Sequence, residues 1–187
     1  MVWLVLGVLV WSGLHFIPMA ARPLREVCIG RVGDGPYKGL FALGLIGTIV
    51  LMVVGWGRAA PIPVYAPPDW GRAVASPMML VAFTLFVASG VPTNLKRFLR
   101  HPQLTGLAVW AAAHLLANGD RRSFVLFGGL GAWALVSMLL LNRRDGAWQK
   151  PASLPLSAEL KPVVGGVLAF GLLFFAHSYL FGVSPTP

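Results

Sequence analysis

The chain has 187 residues, of which only 11% are charged and 57% are hydrophobic. Soluble domains carry about twice that charge fraction, so an ordinary soluble domain is excluded. A formal charge of +9 would point to nucleic acid on a soluble domain, but here it sorts by side of a membrane.

The apolar residues fall in long blocks separated by short stretches that hold nearly all the charge, as bilayer-spanning helices require. The expected fold class is an all-α polytopic membrane bundle of about six transmembrane helices, forming one domain over residues 1–187. In chain order the blocks run Val2 to Ile17, Gly39 to Trp56, Ala73 to Gly90, Pro102 to Asn118, Ser123 to Leu141 and Pro162 to Phe181. The fourth is the shortest and carries His114 and Asn118. The first lacks a basic segment ahead of it, and Arg22 and Arg25 follow it, so it reads as an uncleaved span rather than a signal peptide.

Between the blocks, the connections near residues 18–38, 57–72 and 142–161 are expected to be loops. Pro61-Ile-Pro-Val-Tyr-Ala-Pro-Pro-Asp-Trp70 is too proline-rich for a regular helix. Tyr65 and Trp70 suit an interfacial aromatic belt. Gly33-Asp-Gly-Pro-Tyr-Lys-Gly39 reads as a turn leading into the second span, since its order matches no phosphate-binding loop.

Eleven of the fifteen Lys and Arg residues follow the first, third and fifth blocks: Arg22, Arg25, Arg31, Lys38, Lys96, Arg97, Arg100, Arg143, Arg144, Lys150 and Lys161. Arg58, Arg72, Arg121 and Arg122 lie on the other side. The positive-inside rule then makes the first set cytoplasmic and puts both termini outside, with no call for a nucleic-acid partner. Cys28 is the single cysteine, so neither an intramolecular disulfide nor a cysteine-based metal cluster can form.

Polar residues within spans are costly and carry the functional information. No Asp, Glu, Lys or Arg falls near the middle of any block, which argues against an ion-coupled transporter. Four histidines remain. His101 opens the fourth block beside Arg97 and Arg100 and reads as interfacial. His15, His114 and His177 are open to packing or to ligation of a metal or haem. His101 and His114 are about 20 Å apart along one helix and cannot share an iron.

Arg100-His-Pro-Gln-Leu-Thr-Gly106, continuing to Trp110-Ala-Ala-Ala-His-Leu-Leu-Ala-Asn-Gly-Asp120, resembles the NnrU family of bacterial membrane proteins. So do Gly33 to Gly39, Gly13-Leu-His15 and Phe181-Gly-Val-Ser-Pro185. The resemblance implies a membrane protein associated with nitrite and nitric oxide metabolism; helical spans imply the inner membrane in a diderm host, since outer-membrane spans are β-barrels. The plant 15-cis-ζ-carotene isomerase, a haem b enzyme, is similar to this family. By that likeness His114 and His15 correspond to axial haem ligands, with His177 as the substitute. The plant enzyme has a cysteine where this chain has Ala111, so its ligand exchange does not carry over. Bis-histidine haem b with an electron-transfer or sensing role is then expected, with Arg121 and Arg122 as partners for the propionates. Three other readings stay open. One is a cis–trans isomerase acting on a lipophilic polyene, and one is a cofactor-free subunit that binds a membrane partner. The third comes from a different resemblance: Arg100-His-Pro102 is similar to a motif of membrane methyltransferases that modify isoprenylcysteine or phospholipid amines, which implies methyl-donor binding near His101.

Overall fold

The computed structural model describes residues 1–185. Its principal helices are α1 (Val2–Ala20), α2 (Arg22–Val32), α3 (Asp34–Arg58), α4 (Gly71–Gly90), α5 (Pro102–Ala117), α6 (Arg121–Asp145) and α7 (Leu160–Phe181). No strand occurs among the described residues, only an isolated bridge between Pro63 and Asp120.

Five helices (α1, α3, α4, α6 and the α7 region) are long and apolar enough to cross a membrane. The fold is therefore the expected helical membrane bundle. Helix α5 has 16 residues, about 24 Å of rise against a hydrocarbon core of about 30 Å. Connectivity nonetheless makes it cross. Val64 and Tyr65 donate backbone hydrogen bonds to Gly119 O, and Arg121 donates to Ile62 O. The connection before α4 therefore meets the connection after α5. Helix α4 leaves that face, and α5 must return to it.

The opposite face, which carries most of the basic residues, is tied just as firmly. The Glu159 carboxylate accepts from Thr93 Oγ1 at 2.5 Å and from Asn94 N at 2.6 Å. The Asn94 side chain bonds both ways with the Leu154 backbone, at 3.0 and 2.9 Å.

Two expectations for residues 18–39 need correction. The stretch expected as loop contains α2, and the expected turn at Gly33 to Gly39 is the first turn of α3. Only Gly33 breaks the helix, at φ 87°, a conformation glycine adopts without strain. Pro36 is tolerated in a first helical turn because its missing N–H has no intrahelical partner there. Asp34 and Lys38 pair one turn apart at 2.6 Å.

The extensive packing runs as a row: α3 on α1, α1 on α6, α6 on α5, α5 on α4, and α4 on α7. Leu4, Val8, Met52 and Leu130 form the buried cluster where α3, α1 and α6 meet. Gly55 lets α1 approach closely, since a Cβ there would collide with the Leu4 backbone. The end helices show broad apolar faces, among them Leu43, Ile46 and Val53 on α3 and Leu168, Leu172 and Phe175 on α7. Such faces are what lipid requires. Helix α6 is central, and His15 and His114 flank it.

Candidate functional site

His15 stands on α1 against α6. Its Nδ1 is 2.9 Å from Trp11 O, and its ring lies 4.0 Å from Trp11, 5.2 Å from Trp133 and 5.9 Å from Phe41, centroid to centroid. His114 repeats the arrangement on α5. Its Nδ1 is 2.9 Å from Trp110 O, and its ring stacks on Phe127 at 4.3 Å and lies 4.8 Å from Trp110.

A carbonyl only accepts, so in both residues Nδ1 holds the proton and donates it. Nε2 is left with its lone pair and no hydrogen-bond partner. An imidazole fixed this way at one nitrogen is oriented to give the other to a metal.

Along the membrane normal the two side chains incline in opposite senses, His15 toward the level of His114 and His114 toward that of His15. Side chains on a helix tilt toward its N-terminus. Helix α1 starts on the face where α5 ends, so His15 and His114 tilt in opposite directions along the membrane normal. Their partners on α6, Trp133 and Phe127, are separated by about 9 Å along the axis. The structure does not bring the imidazoles into contact, because Trp11 and Trp110 occupy the space around them, with Leu130 nearby on α6.

Helix α6 widens into a π-turn over Phe124–Gly128, beside His114. Extra residues inserted into a helix in this way often mark functional sites. The spacing pattern gives no hint of it, because a π-turn leaves hydropathy unchanged. One turn further along, Trp133 Nε1 and Ser137 Oγ are buried with no hydrogen-bond partner. Two unpaired polar groups on one helix face inside a membrane are costly.

The other expected residues are more dispersed. His177, near the end of α7, faces Val183 O through Nδ1 at 2.7 Å and Phe181 at 4.9 Å. It is close enough to His114 to interact electrostatically. Arg122 is already engaged, with its guanidinium 4.6 Å above the Trp56 ring and Nε 3.4 Å from Asp120 Oδ1. Arg121 is exposed. His101 sits on the basic face with Nε2 3.0 Å from Asn142 Oδ1. Among the described residues, no group of three or more His, Cys, Asp or Glu could hold a metal ion, so any iron here would depend on a pair of imidazoles and a macrocycle.

Ala111 is 2% exposed. Ala111 Cβ lies 2.9 Å from where a Cβ on Gly131 would stand, so α5 and α6 meet there with room for little more than a methyl group.

A family model described as NnrU protein matches residues 3–185 of the chain. No curated protein and no solved structure matches it significantly.

Proposed function

The chain belongs to the NnrU family, and from that premise we propose that it is a haem-b-binding membrane protein of nitrogen-oxide metabolism, with His15 and His114 as the iron ligands. The observation that carries the reading is the matched pair of imidazoles. Each is held through Nδ1 by the carbonyl four residues earlier, each keeps Nε2 free, and the opposite directions of α1 and α5 incline them toward one another along the membrane normal.

The surroundings of each imidazole are aromatic. Trp11 and Trp133 pack together beside His15, and Trp110 and Phe127 beside His114, and a macrocycle would have to replace those contacts with its own. Bound haem supplies one-electron redox chemistry. His15 and His114 would hold the iron as two neutral imidazole ligands, and such a pair would favour electron transfer or sensing over turnover of a substrate on the iron. Arg121 is the available cation for a propionate on its face. Arg122 serves the fold through Trp56 and Asp120. By the positive-inside rule the basic face is cytoplasmic and the termini are periplasmic, in a bacterial inner membrane.

The test is haem content and spectrum. Protein expressed with added haem precursor and purified in detergent is expected to give a b-type pyridine haemochrome near one per chain. His15→Ala and His114→Ala should each lose most of it. Unchanged haem content in either variant removes that residue from the ligand pair, and haem-free wild-type protein removes the reading.

A further inference from the structure

A cavity of about 520 Å³ opens on the basic face, within the 300–1,000 Å³ range usual for small-molecule sites. Its walls come from α1, α5, α6, the end of α4 and the two connections that meet on this face. They divide by chemistry. Lys96, Arg100 and His101 are its basic lining, Met19, Leu104, Leu141 and Trp148 are apolar, and Trp133 and His15 also line it.

None of the lining residues is acidic. Two carboxylates on this face have partners already. Asp145, within electrostatic range of Arg100, accepts from Arg144 at 2.6 and 3.0 Å. Glu159 is taken by Thr93 and Asn94.

The two cations are anchored rather than spent. Lys96 Nζ donates to Ser89 O at 2.9 Å, and Arg100 donates through one terminal nitrogen to Gly146 O at 2.8 Å. An ammonium has three N–H bonds and a guanidinium five, so both retain donors for an anion. Each is already fixed in place, which lowers the entropy lost on binding.

We propose that this cavity binds a single-chain anionic lipid from the adjoining leaflet, of the fatty-acid class. Its carboxylate would meet Lys96 and Arg100, and its chain would lie against Leu104, Leu141 and Trp148. The cavity's place at the interface fits such a ligand. A charged end needs water and cations, an acyl chain needs hydrocarbon, and the pocket joins both within one opening. The proposal does not depend on iron at His15.

Photolabelling tests it. Wild-type protein in nanodiscs of zwitterionic lipid is exposed to a diazirine-bearing palmitate analogue, and adducts are mapped by mass spectrometry. Labelling is expected on peptides carrying Leu104, Leu141 and Trp148. Palmitate should compete, whereas methyl palmitate and inorganic phosphate should not. K96Q/R100Q should reduce labelling roughly tenfold, as loss of charge-assisted hydrogen bonds implies. K96R/R100K should retain it, and an unchanged melting profile for both variants separates binding from folding. Labels spread along the lipid-facing α3 and α7, or equal competition by the ester, would overturn the proposal. Competition by haemin but not by its dimethyl ester would transfer the cationic site from a lipid to haem propionates and overturn the lipid assignment.

Discussion

Replacing His114 by Leu separates a ligand from a packing residue, because the two roles predict opposite stability patterns. In haem-free protein the imidazole contributes a ring stack on Phe127 and one hydrogen bond to Trp110 O. That carbonyl also accepts the intrahelical N–H of residue 114 within α5, so losing the side-chain bond orphans nothing. The net loss is then at the low end of a hydrogen bond, about 0.5–1 kcal/mol. Leucine offsets part of it by removing an Nε2 that has no partner in an apolar setting. With haemin at a hundred times its dissociation constant, the wild type gains about 2.7 kcal/mol from binding. In a chain of this length that is on the order of 5–10 °C in melting temperature. Thermal unfolding in detergent, with and without haemin, should show His114→Leu nearly equal to wild type without haemin and failing to gain with it. A variant that melts much lower without haemin, yet still gains the full increment with it, would refute the reasoning and return His114 to packing.

Other consequences are open to direct measurement. Arg122→Ala should lower stability by about 1–2 kcal/mol through loss of the Trp56 and Asp120 contacts, with haem content unchanged. Arg121→Ala should leave stability within about 0.5 kcal/mol and weaken haem binding, read by haemin titration. Ala111→Cys should cost about 1–3 kcal/mol by overpacking against Gly131 and leave the bis-imidazole spectrum in place; a thiolate-type spectrum would contradict it. Tyr65 donates its hydroxyl to Leu115 O and to Asn118 O. Burial, and then the Asp120 charge, raise its pKa above 10. Its contribution is therefore fully present below the ordinary phenol value and lost as pH rises through the higher folded one. Tyr65→Phe should remove that alkaline loss, seen as a flatter melting-temperature profile above about pH 10.

The spans were legible because lipid leaves only one way to satisfy a backbone, and the hydropathy blocks record it. Helix α2 was not, since Arg22–Val32 is short and carries Arg22, Arg25, Glu26 and Arg31, giving no apolar block to find. The start of α3 was misplaced because Gly and Pro near Gly33 signal a turn, whereas only Gly33 leaves helical geometry. Histidines 15, 114 and 177 could be singled out as polar residues in apolar spans. Their Nδ1 tethers could not, because each depends on a rotamer, and the π-turn beside His114 leaves no trace in composition. The basic-face cavity was invisible for a different reason. Met19, Arg100, Leu141 and Trp148 come together only when α1, α5 and α6 pack, and read singly His101 is an interfacial residue and Arg100 one of the basic-loop cations.

The central claim is that His15 and His114 hold one haem iron between them. Electron paramagnetic resonance of the oxidised, haem-loaded protein addresses it most directly, because axial ligation sets the iron spin state. The account predicts a low-spin ferric signal of the bis-imidazole kind in wild type, with loss of that signal in His15→Ala and in His114→Ala. A high-spin signal in wild type, or a low-spin signal that survives either substitution, would contradict it.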